Sequence, residues 1–159
     1  LLGSVLRIDI RDSTPEKPYA IPSDNPFVKL PNARPELFVY GLRNPWRLTV
    51  DALTGQVWVG NNGQDLWETV HLVRPGENYG WSVYEGSHPF YSNRKLGPHP
   101  LTLPTAEHPH SEARSITGGV VYHGAKWPNL RGHFIYGDYE TGKIGHASRS
   151  RYSGCLVVS

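Results

Sequence analysis

The sequence is short of three things that would narrow its function at once. It holds a single cysteine, Cys155, so an internal disulfide and a cysteine-based metal cluster are excluded, and the redox compartment stays open. It has no apolar run approaching the length of a bilayer-spanning helix, so nothing in it points to a membrane partner. It has little net charge, +2 from sixteen basic and fourteen acidic residues. The basic residues are scattered without a stripe, which gives no electrostatic footprint for nucleic acid. The opening Leu1-Leu2-Gly3-Ser4 also lacks the charged region and apolar core of a secretory leader.

What the chain has in quantity is turn formers and aromatics. Seventeen Gly and fourteen Pro, with five Trp and nine Tyr, describe many tight turns between short strands that carry enough apolar bulk to pack: an all-β signature. The 159 residues suffice for one domain with a real core. Val5 to Ile10 alternates apolar and polar side chains and reads as a half-buried strand. Residues 11 to 35 are proline-rich and contain the Asp24-Asn25-Pro26 turn, so they read as an ordered surface loop. Strand character resumes at Glu36 to Tyr40. Arg47 to Asp51 and Gln56 to Gly60 form a hairpin through Ala52-Leu53-Thr54-Gly55, with Gly55 supplying a positive φ. Glu68 to Val73 is the next strand. Ser87 to Arg114, rich in Pro, His and Ser without periodicity, reads as a lid or rim insertion. Gly118 to His123 and His133 to Gly137 are strands separated by Gly124 to Gly132, and Lys143-Ile144 begins another.

One loop carries chemistry. In Arg43-Asn44-Pro45 the proline pushes Asn44 toward extended geometry and leaves its amide free, while Arg43 offers a planar fork of donors suited to carboxylates. The pair reads as a clamp for an anion. The plainer alternative is an arginine bonding loop carbonyls or a nearby acid. Trp46, Trp58, Trp67 and Trp81 read as packing residues rather than stacking platforms, given the apolar area each can bury. His108 and His110, one residue apart with Pro109 between them, fit no metal-site template and read as solvated loop residues. Asp138 and Glu140 read as binding the backbone of their own turn.

The order of Asp24-Asn25-Pro26-Phe27, Gly41-Leu42-Arg43-Asn44-Pro45-Trp46, Glu77-Asn78-Tyr79-Gly80-Trp81, Thr117-Gly118-Gly119-Val120-Val121-Tyr122 and Tyr136-Gly137-Asp138-Tyr139 resembles the glucose/sorbosone dehydrogenase family, the soluble quinoprotein aldose sugar dehydrogenases. The resemblance spans residues 1 to about 144, and the tail from 145 to 159 departs from it and reads as truncated or non-native. The family resemblance implies a six-bladed β-propeller of four-stranded antiparallel blades. At several tens of residues per blade this chain supplies roughly two to three, a partial propeller. It also implies pyrroloquinoline quinone (PQQ) and calcium as cofactors, a small sugar oxidised at C1, and a periplasmic or extracellular location.

Residue by residue, the resemblance implies that Arg43 and Asn44 contact PQQ. Gly63 and Gln64 stand where the family offers two main-chain carbonyls to a calcium on the quinone, although the family often has Gly-Pro there. Glu68 and Tyr79 stand where it supplies a side-chain and a main-chain oxygen to a second calcium. The alternative for that pair is a Glu68 that bonds a loop backbone and a Tyr79 that belongs to the core. Two departures stand beside these expectations. The family's catalytic histidine comes from an earlier blade that no segment here matches, so the chain contains no catalytic base and is expected to be inactive alone. Glu140 also stands where some members place a cation. The competing readings are a non-catalytic propeller like hedgehog-interacting protein, which binds a partner through rim loops, and a structural piece that self-associates through open blade edges.

Overall fold

The structure, a computed structural model, describes residues 1–149 and, as backbone, 151–156. Within that range the chain is all-β, and the 3₁₀ turn Pro128–Leu130 is the single helical element among the described residues. The strands are β1 (Val5–Leu6), β2 (Leu37–Val39), β3 (Asn44–Val50), β4 (Val57–Asn62), β5 (Trp67–Val73), β6 (Tyr84–Glu85), β7 (His88–Pro89), β8 (Ala106–Pro109), β9 (Ile116–Val121), β10 (Phe134–Asp138), β11 (Ile144–Ser148) and β12 (Arg151–Leu156).

Two four-stranded antiparallel sheets carry the architecture, ordered β3-β4-β5-β8 and β9-β10-β11-β12. They pack face to face, with β9 lying across β3, β4 and β5, as successive blades of a β-propeller do. The hairpin between β3 and β4 closes where the turn chemistry requires it. Gly55 takes φ +70°, and the Asp51 carboxylate accepts from the Leu53 N–H at 3.2 Å and from the Thr54 hydroxyl.

Alternation along the strands decides what each face does. Trp58 and Val70 face the second sheet, where they meet Ile116, Phe134, Tyr136 and Ala147. Trp58 stacks on Phe134 with ring centroids 5.1 Å apart. Fully burying side chains of this kind contributes roughly 1.5–3 kcal/mol each. The opposite face carries Val59 and Val73 against Val39, Leu42 and Tyr79. The two blades approach closest at glycines: a Cβ on Gly60 would lie 2.9 Å from the Cα of Gly118.

Two expectations change. The segment from 87 to 114 is not structureless throughout, because β8 completes the first blade by pairing with β5, Val70 opposite Ala106 and Trp67 opposite Pro109. The first strand is shorter than its alternation suggests and ends at Leu6, with Asp9 joined to Ala20 by an isolated bridge. From 144 the chain adds β11 and β12 to the second sheet, Phe134 opposite Ala147 and Ile144 opposite Leu156. Ser150, residues 157–159 and the side chain of Cys155 lie outside the described part.

Candidate functional site

The site lies at one end of the two blades, where β3 begins, β4 ends, β5 begins and β9 begins. Between β4 and β5 the chain turns through Gly63 to Leu66, and the donors of that turn converge on one buried side chain. The N–H groups of Gln64 and Asp65 donate to Oε1 of Glu85 at 2.5 and 2.7 Å, and that of Leu66 reaches both oxygens at 3.3 Å. Glu85 is 4 % exposed. A carboxylate that satisfies successive backbone donors rigidifies the loop, since buried N–H groups without partners are costly.

Arg43 and Asn44 stand opposite this turn. The Nε of Arg43 donates to the side-chain oxygen of Gln64 at 3.0 Å, and among the described residues no acceptor reaches its two Nη nitrogens. The side chain is half-buried and that of Asn44 is exposed. Both borrow their backbone geometry from Asn61, whose Oδ1 accepts the N–H of Arg43 at 3.1 Å and that of Asn44 at 3.0 Å.

Glu68 is fully buried on the face toward the second blade. Its Oε1 accepts from the Gly63 N–H at 3.0 Å and contacts Nε2 of His110 at 3.1 Å. Its Oε2 accepts from the Ile116 N–H at 2.9 Å and from the Asn62 amide at 3.0 Å. Burial pushes the Glu68 pKa upward, and the hydrogen bonds from the two backbone N–H groups and from His110 oppose that shift. The residue staples the two blades together at the mouth of the site.

A cleft of about 340 Å³ opens among these groups, lined by Arg43, Asn44, Gly63, Gln64 and Glu68 from the first blade and by His110, Arg114 and Ser115 from the connection to the second. Its volume lies within the range of small-molecule sites. Five of the six residues singled out in the sequence therefore meet in one place. Tyr79 does not. It lies on the other face of the β4–β5 hairpin, its ring edge-on to His71 at 4.3 Å and its hydroxyl donating to Glu77. Burial and the Glu77 carboxylate raise its pKa. The residue of β5 that shares its face beside Asn61 is Thr69, not Glu68.

Sequence reasoning missed several lining groups. His110 is not a free loop residue but backs onto Glu68. Its neighbour His108 is 2 % exposed and bonds the Tyr136 hydroxyl at 2.8 Å. Trp46, expected in the core, is 61 % exposed and edges the cleft. Arg114 donates through Nε to the His110 carbonyl and through Nη1 to Glu140, both at 2.9 Å. Asp138 does bind its own turn, accepting from the Thr141 N–H at 2.8 Å. It also accepts from the N–H groups of Arg114 and Ser115 at 2.9 and 2.5 Å, so that it anchors the wall of the cleft. Burial opposes ionisation of Asp138, yet these backbone donors outweigh it and hold its pKa down.

With this geometry in view, the relatives are informative. The Arabidopsis thaliana HIPL1 protein is 34 % identical over 182 residues, which cover 99 % of this chain and 26 % of that protein. Human Hedgehog-interacting protein is 28 % identical over 144 residues, 86 % of this chain and 18 % of its own length. Among solved structures, a glucose dehydrogenase superposes with a TM-score of 0.74 at 23 % identity, covering 99 % of this chain and 44 % of its own. The PQQ-bound aldose sugar dehydrogenase of Streptomyces coelicolor gives 0.67 at 21 %, covering 98 % and 39 %. These structural likenesses show the propeller fold. The chain spans about a quarter of the length of HIPL1 and less than half of each solved chain. Among the described residues no helix is long and apolar enough to cross a membrane. A family model described as glucose / sorbosone dehydrogenase matches residues 1–151, and the chain accordingly belongs to the glucose/sorbosone dehydrogenase family.

Proposed function

We propose that the chain is part of an exported quinoprotein dehydrogenase that oxidises aldoses at C1 with PQQ, and that its cleft contributes the anion clamp for the quinone. The observation that carries this reading is Arg43. Its Nε is fixed by Gln64, and its two Nη nitrogens have no acceptor among the described residues and line a 340 Å³ cleft beside Asn44. A planar guanidinium with parallel donors matches a carboxylate in two-point fashion, and a tricarboxylate such as PQQ needs such fixed donors for its orientation. The donor set fits the group. Arg43 would hold a carboxylate, and the Asn44 amide would add a neutral contact. When bound, PQQ supplies the two-electron acceptor that takes hydride from the sugar. Arg43 and Asn44 would orient it, and none of this chain's residues is assigned as the base.

Calcium divides into two cases. Gly63 and Gln64 line the cleft beside the clamp, and their main-chain oxygens would be the ligands for an oxygen-seeking cation there. The second ion that the resemblance implies, between the Glu68 side chain and the Tyr79 main-chain oxygen, has less support. The carboxylate of Glu68 is met by four donors and the tyrosine is on the opposite face. Among the described residues no group of three or more His, Cys, Asp or Glu is arranged to hold a metal. No step is derived through a second calcium.

One observation favours a second reading, a non-catalytic propeller that binds a partner at its rim. The other guanidinium of the cleft, Arg114, is already paired with Glu140, which reduces the positive field an anion would meet. Calorimetric titration of the protein with PQQ in the presence of calcium separates the two. Saturable binding that Arg43→Ala weakens at least tenfold supports the dehydrogenase reading. Absence of binding, or equal binding by the variant, leaves the rim-binding reading.

A further inference from the structure

We propose that Asn61, keyed by Thr69 and His71, is the positioning residue of the Arg43–Asn44 clamp, setting its backbone through a buried, uncharged hydrogen-bond relay. The inference deepens the quinone reading and rests on it only for its affinity measurement. The need for such a device arises in β3. Pro45 has no N–H to give the ladder, and the register with β4 shifts between Pro45 and Arg47, so that Pro45 opposes Asn61 while Arg47 opposes Gly60. Regular pairing therefore fails where the clamp leaves the sheet. The Asn61 side chain takes over, its Oδ1 accepting two successive N–H groups, from Arg43 and Asn44, at 3.1 and 3.0 Å.

The valence of the amide fixes the next link. With Oδ1 accepting, the Asn61 Nδ2 must donate, and it reaches the Thr69 hydroxyl oxygen at 2.8 Å. That hydroxyl then has its own proton to place. Nε2 of His71 lies at 2.9 Å, against 3.4 Å for the Asn61 carbonyl. In the proposed relay the hydroxyl gives its proton to Nε2 across the shorter contact, which assigns the imidazole proton to Nδ1; the other tautomer would have Nε2 donate to the hydroxyl and the hydroxyl donate to the Asn61 carbonyl. His71 is 3 % exposed, and its Nδ1 has no partner among the described residues. The residue lines a cavity of about 10 Å³ shared with Tyr79, Glu85 and Gly63, room for about one water. Burial keeps the ring neutral, lowering its pKa to about 3, so the relay holds one protonation state across the ordinary pH range. Every polar atom of Asn61 is thereby committed to one orientation, and the clamp inherits it.

The test pairs Thr69→Val, which removes the hydroxyl at equal volume, with Thr69→Ser, which restores it. In the unmodified protein, ¹⁵N NMR should show His71 with a bare Nε2 and a protonated Nδ1; the opposite tautomer overturns the relay. Amide exchange at Arg43 and Asn44 should quicken about tenfold in Thr69→Val and return in Thr69→Ser, while exchange in β10 stays unchanged. Unaltered exchange at those two amides overturns the proposal. PQQ affinity should follow the same pattern, about tenfold weaker and then restored, as expected for loss of one well-placed hydrogen bond. A protein that never binds PQQ but shows the exchange pattern supports the positioning role and removes the quinone reading.

Discussion

His71 is one of the groups through which lowering the pH should destabilise this protein, and the size of its own contribution follows from its burial. The ring lies between Thr69 and Tyr79 with its pKa held at about 3, against an ordinary value of 6.5. Because the folded-state pKa is depressed, the unfolded chain binds a proton that the folded chain refuses. The stability carried by neutral His71 is fully present above pH 6.5 and drains away as pH falls toward 3. At pH 5 the unfolded imidazole is almost entirely charged while the folded one is neutral. The linkage cost is then about 1.36 kcal/mol for each of the roughly 1.5 pH units below 6.5, or about 2 kcal/mol. That is a substantial part of the 5–15 kcal/mol typical of a domain. Urea unfolding of the protein and of His71→Gln at pH 7 and pH 5 isolates the residue, since every other titrating group is common to both. The fall in stability should be about 2 kcal/mol larger for the protein with its histidine. Equal falls would show that the ring titrates normally and that the core beneath the clamp is wet.

Other perturbations test other parts of the structure. Glu68→Ala strands the N–H groups of Gly63 and Ile116 in a buried site and should cost about 3–5 kcal/mol in chemical denaturation, as expected when buried partners of a charge are left unpaired. Gly60→Ala sets a methyl 2.9 Å from the Gly118 backbone; separating the blades to admit it should cost about 1–3 kcal/mol, read as a lower melting temperature. Glu140→Ala releases the Arg114 guanidinium from an exposed pair. Stability should change by less than about 1 kcal/mol, while PQQ binding should tighten several-fold and do so less at high salt.

Much of the first blade was legible because its signals are local. Thr54-Gly55 demanded a tight hairpin and Gly55 adopts the positive φ it was assigned. Trp58 and Val59 lie in β4, inside the hairpin arm read over Gln56 to Gly60. The strand β8 escaped notice for a physical reason. Its inward positions are filled by Ala106 and His108, a small residue and a polar one, and it ends in proline, so no apolar periodicity marks it. The site divides in the same way. Arg43, Asn44, Gly63 and Gln64 were visible through the ordered motifs of the family. His110, Arg114 and Ser115 join them only because β9 packs across the first blade, a long-range event that no local pattern encodes. The surroundings of the Tyr79 ring illustrate strand parity. Successive residues of β5 point to opposite faces, so the side chains that share Tyr79's face are those of Thr69 and His71, one and three positions beyond Glu68.

On the quinone reading, the guanidinium of Arg43 receives a quinone carboxylate in the cleft between the blades. A crystal structure of the protein grown with PQQ and calcium tests it most directly. The account predicts a carboxylate within hydrogen-bond distance of both Nη nitrogens of Arg43, with the Asn44 amide beside it and Gln64 still on Nε. Quinone density elsewhere on the molecule, or an Arg43 turned away from it, would contradict the account.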